Sequence, residues 1–159
     1  MSILLHGYQL RALNYGTQVI TSAKTLPATA TATLFTVSGG AVIVTSLLGL
    51  VSTAIQSSDP AVTIGTAPTT GTAEVAGIAS STVLSSAEVG TWITVQPSSG
   101  LPGALVVMAS AAKAGNAVYL PTPFVVSAGT ITWTTGATKT GAVIWYLTYI
   151  PLDTGASVA

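Results

Sequence analysis

Apolar residues occur along the chain in short runs, many alternating with threonine or serine, and clusters of glycine, proline and serine separate the runs. Alternation with a period of two is typical of a strand with one buried face, and regularly spaced turn residues favour a β-sandwich or barrel. The runs predict strands at Leu34–Val37, Ala41–Gln56, Ala61–Ile64, Val89–Val95, Leu105–Ala109, Ala117–Leu120, Phe124–Ser127, Thr130–Thr135 and Ala142–Ile150. Residues 25–159 are therefore predicted to form a single β-domain, either a β-sandwich or a jelly-roll-like barrel.

The composition supports this fold class. The chain contains 26 Thr, 17 Val and 10 Ile in 159 residues, and these β-branched side chains suit a pleated sheet better than a helix. It is 49% hydrophobic with a mean hydropathy of +0.71, which is far too apolar for an intrinsically disordered chain. We expect less than about 15% helix, because a third of the residues are β-branched.

Residues 1–24 follow neither the helical nor the strand period, and they are predicted to be an extended N-terminal arm or a first edge strand. The arm is rich in large apolar side chains, which are Leu4, Leu5, Tyr8, Leu10, Leu13 and Tyr15. Because so many large apolar groups are unfavourable in water, we expect the arm to dock on a neighbouring subunit or on a larger shell.

The predicted strand Ala41–Gln56 is apolar on both faces, with a possible bend at Gly49, where the missing side chain permits a bulge. A strand on the surface of a monomeric antiparallel sandwich is normally polar on one side. Two explanations remain open: a loop or arm lies across a central strand, or the second face is a subunit interface. The candidate interface residues are Leu48, Leu50, Tyr146 and Ile150.

Charge is scarce: four basic and four acidic residues give a net charge of zero. A surface with so little charge is poorly protected against association, so we expect a homo-oligomer. Nucleic-acid binding is not expected, since no basic cluster is present. The uncharged stretch 34–56 is interrupted by glycine and hydroxyl residues, and the N-terminus lacks a basic region before its apolar residues. We therefore expect neither a membrane span nor a signal peptide.

Few residues of the chain could support catalysis or hold a metal ion. His6 is the only histidine and there is no cysteine, so a metal site built on these ligands is not expected, and neither is a cofactor. No phosphate-binding or dinucleotide-binding glycine motif occurs. The carboxylates Asp59, Glu74, Glu88 and Asp153 are dispersed, and three of them adjoin turn residues, which turn and cap roles explain. The protein is therefore predicted not to be an enzyme, although a hydrolase using His6 or a pair of carboxylates stays a rival hypothesis.

Aromatic residues cluster near the C-terminus, with Trp145 and Tyr149 on one face of the predicted last strand and Tyr146 on the other, and with Trp133 in the strand before it. Large rings dominate both protein cores and interfaces, so packing is their expected role. The alternative is a platform on which sugar rings stack, and it requires these rings to be exposed.

The chain resembles small virion structural proteins of tailed bacteriophages, the capsid decoration, cement or minor structural proteins. The resemblance covers about residues 25–155 and is carried by Thr33–Gly40, Ala41–Gly49, Gly90–Val95, Gly129–Ile131 and Gly141–Leu152. It is a pattern of strands and glycine turns and implies no site residues. It implies a β-domain on the capsid exterior that forms an oligomer, often a trimer, and has the major capsid protein as its partner.

The resulting hypothesis is a non-enzymatic virion protein, made in the host cytoplasm, that binds and stabilises the outer surface of the head. The alternative is a module of a tail fibre or spike that binds a carbohydrate receptor on the host surface. The exposure of Trp133, Trp145 and the tyrosines discriminates between the two.

Overall fold

A computed structural model describes residues 6–7, 10, 14–56, 61–84, 86–98, 100–107, 123–138 and 140–159. In these residues the chain forms twelve strands: β1 Thr17–Ile20, β2 Lys24–Thr25, β3 Thr31–Ser38, β4 Val42–Thr53, β5 Ala61–Pro68, β6 Glu74–Val83, β7 Trp92–Ser98, β8 Gly100–Val107, β9 Phe124–Val126, β10 Gly129–Thr135, β11 Ala142–Pro151 and β12 Ser157–Val158. The structure is 59% strand and 4% helix, so the predicted all-β sandwich is confirmed.

The strands form two antiparallel sheets. The first sheet has the order β1-β11-β4-β7-β8, with β2 also paired to β11 and β9 to β4, and the second has the order β6-β5-β10-β3-β12. A short parallel pairing of β6 with β8, at Ala79–Gly103 and Ser80–Ala104, joins one sheet to the other. The hydrogen-bonded path therefore continues from the first layer into the second.

The core lies between the two sheets, and two tryptophans mark its centre. Trp133 on β10 of the second sheet meets Trp145 on β11 of the first, edge to face, with ring centroids 5.7 Å apart and an interplanar angle of 82°. Trp133 is 1% exposed and Trp145 is fully buried. Such a contact adds about 0.5–1.5 kcal/mol to the burial of the rings. Around this pair pack Phe35, Leu47, Ile64, Ile131 and Leu147.

Strand β4 is not bulged at Gly49, so that prediction is wrong. The pairing with β11 skips Thr45 and Ser52, and these two residues are the bulges. Gly49 instead pairs in register with Trp145, and a Cβ there would lie 2.9 Å from Val143 Cγ1 and 3.1 Å from the Trp145 ring. The glycine therefore makes room for the core tryptophan rather than for a change in strand direction.

The bulge at Thr45 also changes which side chains of β4 face the core. Val42 and Val44 point inward before it and Leu47 and Val51 point inward after it, although strict alternation assigns these pairs to opposite faces. A one-residue insertion in a strand exchanges the two faces of all following positions. Each of the two faces predicted from simple alternation therefore contains some side chains that point to the core and some that point outward.

The second half of the predicted arm belongs to the sheet. Strand β1 pairs with β11 from Thr17–Tyr149 to Ile20–Tyr146, and Val19, opposite Leu147, packs against the core. Residues 7, 10, 14 and 15 are helical, and Leu10 N donates a hydrogen bond to His6 O, so these residues are not extended. Of the two alternatives predicted for residues 1–24, Thr17–Ile20 therefore forms the first edge strand, paired to β11.

Several predictions concern residues that the structure does not describe. Outside the described residues lie the predicted strand Ala117–Leu120, the apolar arm residues Leu4, Leu5, Tyr8 and Leu13, and the carboxylate Asp59.

Candidate interaction surface

The outer face of the first sheet carries apolar side chains in two neighbouring rows, with the buried Thr94 of β7 opposite Leu48. Residues that pair in register point to the same side of a sheet, and Ile20 on β1 pairs with Tyr146 on β11, which pairs with Leu48 on β4. Further along, Ile144 pairs with Leu50, and Leu50 pairs with Trp92 on β7. These side chains form a surface that we call the apolar patch: Ile20, Leu48, Leu50, Trp92, Ile144 and Tyr146.

The two rings of the apolar patch meet above β4. Trp92 and Tyr146 belong to strands on either side of β4, yet their ring centroids are 5.6 Å apart, with the planes tilted by 49°. The rings therefore lean over the leucines of β4, and both leucines are half-buried. Ile20, at the edge of the sheet, remains 53% exposed.

The structure brings together three of the four candidate interface residues. Leu48, Leu50 and Tyr146 lie in the apolar patch, whereas Ile150 pairs with Ile43 in a separate row near Val125. Between the apolar patch and this separate row lies a polar strip, defined by Gln18, Thr45, Ser46 and Thr148. The outer face of the first sheet is therefore divided into a large and a small apolar area.

Hydrogen bonds organise the polar strip. Ser46 Oγ donates to Thr148 Oγ1 at 3.2 Å, and the single hydroxyl proton of Thr45 is shared between the Thr148 carbonyl at 3.1 Å and the Tyr15 carbonyl at 3.0 Å. The last bond fastens the helical turn at Asn14 and Tyr15 over the sheet. Between the turn and the strip is a cleft of about 320 Å³, which Leu48 also lines.

The outer face of the second sheet is built differently, from threonine. Thr134 on β10 lies between Thr63 on β5 and Thr31 on β3, and Thr31 and Thr134 share a hydrogen bond of 2.7 Å between their hydroxyls. Thr132 pairs with Gly65 on one side and Thr33 on the other. We call this surface the threonine face: Thr31, Thr33, Thr36, Thr63, Thr130, Thr132 and Thr134.

The candidate catalytic residues take separate places. His6 is exposed in the leader, Glu74 is exposed at the start of β6, and Glu88 is exposed in the turn before β7. Asp153 Oδ2 accepts a hydrogen bond of 2.7 Å from Ala41 N, so it holds the turn between β3 and β4. In the part of the chain that the structure describes, no group of three or more His, Cys, Asp or Glu side chains is arranged to hold a metal ion. Within the same residues, no helix has the length and apolar character needed to cross a bilayer.

Three of the four rings considered for a sugar platform are unavailable to a ligand. Trp133 and Trp145 are buried in the core, and Tyr149 is buried as well, so the proposed platform near the C-terminus is wrong. The prediction that Tyr146 lies opposite Trp145 and Tyr149 is confirmed, because β11 has no inserted residue and keeps strict alternation. Tyr146, the fourth ring, is half-buried, as is Trp92, whereas Tyr15 in the leader is 63% exposed.

Sequence reasoning missed Ile20, Trp92 and Ile144 as members of the apolar patch, and it missed the cleft. The alternation of β11 contained a signal for Ile144, since it shares a face with Tyr146. Tyr15 and Gln18 could not be linked to Thr148 from sequence, because only the pairing of β1 with β11 brings them together. Comparison of the chain with protein-family models, curated proteins and solved structures found no match.

Proposed function

We propose that the protein is a non-enzymatic structural protein of a virion, a capsid decoration or cement protein that forms a homo-oligomer through the apolar patch and stabilises the outer surface of the head. The observation that carries the proposal is the apolar patch itself, a group of large side chains without a charged member on the outer face of a sheet. The resemblance to small virion proteins of tailed phages supports the location on a capsid.

The apolar patch has the character of an interface between permanent subunits. Monomeric proteins rarely expose large contiguous apolar areas, and subunit interfaces are enriched in Trp, Tyr and aliphatic side chains at their centre. Trp92 and Tyr146 occupy that centre, and the uncharged edge strand β1 borders it. An edge strand without a charge or a proline is poorly protected against contact with another chain. We therefore assign the apolar patch to contact between copies of this chain.

Stabilisation of a shell by such a protein needs no chemistry. A partner that binds only the assembled state stabilises it by RT ln(1 + [L]/Kd) at each site, and the effect accumulates over the many equivalent sites of a capsid. The near absence of charge suits this role, since many copies on one shell then create no large repulsive field.

The oligomeric state is the first test. Sedimentation equilibrium of the purified chain at micromolar concentration is expected to give a stable closed oligomer, a trimer being the state that the resemblance favours. Interfaces of permanent oligomers usually bury about 2,000 Å² or more, so dilution to nanomolar concentration should not dissociate it. A monomer at all concentrations would contradict the proposal.

The location on the particle is the second test. Virus particles are purified from cells that produce this protein from the viral genome. An antibody against the protein, detected by gold labelling, then locates it on the particles by electron microscopy. Label distributed over the head supports a decoration protein. Label confined to the tail tip, or absent from particles that contain the major capsid protein, would contradict it.

A further inference from the structure

We propose that the cleft between the Asn14–Tyr15 turn and the polar strip binds an uncharged, polyhydroxylated ligand, namely a hexopyranose unit of a glycan. This inference does not depend on the virion proposal, because it rests on residues outside the apolar patch except for Leu48. The argument uses the size and charge of the cleft, the way its polar groups are fixed and the position of one aromatic ring.

The size and charge of the cleft define the ligand class. Its volume of about 320 Å³ is at the lower end of the range for small-molecule sites and suits one or two sugar rings. The residues that line it are amides, hydroxyls, one tyrosine and one leucine, so none carries a charge. A charged ligand would lose its hydration without gaining a partner of opposite sign, whereas a neutral ligand with many hydroxyls exchanges hydrogen bonds at little cost.

The polar groups of the strip are held in place by the fold. The bulge at Thr45 lets two consecutive residues, Thr45 and Ser46, both line the cleft, which regular alternation forbids. Each hydroxyl is already fixed by the hydrogen bonds to Thr148 and Tyr15 described above. Because a hydroxyl oxygen has two lone pairs, these groups can still accept hydrogen bonds from a ligand. Ordering the site on binding therefore costs little entropy.

The amide side chains supply the complementary functions. Asn14 and Gln18 are exposed at the cleft, and each offers a carbonyl oxygen that accepts and an NH₂ group that donates. Adjacent hydroxyls of a pyranose ring both donate and accept, so one amide can bind two of them at once. Two amides and three hydroxyls on one small surface are therefore matched to a sugar edge.

Tyr15 supplies an apolar surface for the face of the sugar ring. Its side chain is 63% exposed and lines the cleft, and an exposed tyrosine ring offers a large flat area that few other residues provide. The backbone at Tyr15 is fixed, because its carbonyl oxygen accepts a hydrogen bond from Thr45 and the next residue is a constrained glycine. Gly16 has φ +94°, and a Cβ there would lie 2.3 Å from the Tyr149 carbonyl oxygen, so only glycine allows the chain to turn this closely from Tyr15 into β1.

The cleft is compatible with an oligomer that covers the apolar patch. The two surfaces share Leu48. Along β4, Leu48 lies between the polar strip with the Asn14–Tyr15 turn on one side and Trp92 on the other. The cleft then lies at the rim of the interface, where interfaces remain accessible to water. Glycan binding and assembly can therefore be tested separately on the same full-length chain.

The experiment is a titration of the full chain, in whatever oligomeric state it adopts, with glucose, galactose, mannose and N-acetylglucosamine, followed by saturation-transfer NMR. A ligand with about twelve non-hydrogen atoms and ordinary efficiency binds with a Kd in the low millimolar range. We expect saturable binding of at least one of these sugars and much weaker binding of glucuronate, since the cleft has no cation to pair with a carboxylate.

Three variants locate the binding. Tyr15→Ala is expected to weaken it about tenfold or more, whereas Tyr15→Phe retains the ring and should retain most of the affinity. Gln18→Ala should weaken it about threefold to tenfold through the loss of hydrogen bonds. Thr33→Ala, an exposed hydroxyl on the other sheet, is the control and should have no effect.

Two results would overturn the inference: no saturation with any of the four neutral sugars up to about 50 mM, well above the expected Kd, or saturation with the same Kd in Tyr15→Ala as in the unmodified chain. A failure of this kind leaves the oligomer intact, whereas failure of the virion proposal appears as a monomer in sedimentation, so the two are distinguishable.

Discussion

The two sheets of this sandwich share one core, but their outer faces differ in chemical character. The apolar patch of the first sheet consists of Ile, Leu, Trp and Tyr, whereas the threonine face of the second sheet is built from threonine on three adjacent strands. Both faces are made of residues with strand propensity, and neither contains a charge. Isoleucine and threonine are both β-branched, so the two outer faces differ in polarity and not in strand propensity.

The two faces also differ in what covers them. Thr132 points outward but is only 7% exposed, because the start of β6, near Glu74 and Val75, folds over the centre of the threonine face. Gly65, its neighbour on β5, has no side chain, which leaves room for this crossing. On the first sheet, the described chain leaves Ile20 at the edge of the apolar patch exposed. Each sheet therefore covers part of its outer face with its own chain: the start of β6 lies over the threonine face, and the Asn14–Tyr15 turn lies over the polar strip of the first sheet.

The largest expected effect comes from placing a charge on each face in turn. Ile20→Glu puts a carboxylate at the edge of the apolar patch, where the proposed contact with another copy of the chain would desolvate it. Burying an unpaired charge costs several kcal/mol, so the dissociation constant of the oligomer should rise by about 1,000-fold or more. Because Ile20 is 53% exposed in the single chain, folding should be unaffected.

Thr33→Glu is the matched control, since it adds the same charge to an exposed strand position on the threonine face. Sedimentation velocity and circular dichroism of both variants give the comparison. If Thr33→Glu dissociated the oligomer and Ile20→Glu did not, the assignment of the two faces would be reversed.

A smaller effect, on folding, tests how the threonine face is covered. In Gly65→Ala the new Cβ would lie 2.0 Å from the Glu74 carbonyl oxygen, so the backbone of β6 has to move. In Gly49→Ala on the first sheet, the nearest atoms are side-chain carbons of Val143 and Trp145, at 2.9 and 3.1 Å, and these can shift. Overpacking costs about 1–3 kcal/mol, and we expect Gly65→Ala near the upper limit and Gly49→Ala near the lower.

Urea unfolding of both variants measures this difference in the free energy of unfolding, with the slope of the transition checked for constancy. Equal destabilisation would show that the start of β6 is not packed tightly on the threonine face.

The sequence predicts some of these features and conceals others for identifiable reasons. Gly39 and Gly40 separate the predicted strands Leu34–Val37 and Ala41–Gln56 and so indicate a turn, and both adopt positive φ between β3 and β4. The faces of β11 were also predicted, because nothing interrupts its alternation. The faces of β4 were not, since the bulge at Thr45 depends on pairing with β11 and leaves no trace in the local pattern. The same bulge helps to form the cleft, so the site was hidden for the same reason.

The threonine face itself was concealed in a different way. Thr130, Thr132 and Thr134 alternate visibly along β10, but their neighbours on β3 are offset by a further irregularity between Ile131 and Thr132. Only the pairing of strands distant in sequence reveals that threonines lie side by side. Composition predicts strands from such residues, but it does not predict which face of which sheet they occupy.

The smallest expected effect concerns the hydroxyl pair of Thr31 and Thr134. If the threonine face is a wet surface, the 2.7 Å hydrogen bond between these residues competes with water and contributes little. Cross-strand pairs of this kind are worth about 0.2–1 kcal/mol. A double-mutant cycle with Thr31→Val and Thr134→Val, which keep the β-branched shape, should therefore give a coupling free energy of about 0.5 kcal/mol in urea unfolding. Since valine has the same strand preference, the double variant should be nearly as stable as the original chain. A coupling well above about 1.5 kcal/mol would mean that the pair is shielded from water, and the contrast between the two faces would then lie in hydrogen bonding rather than in exposure.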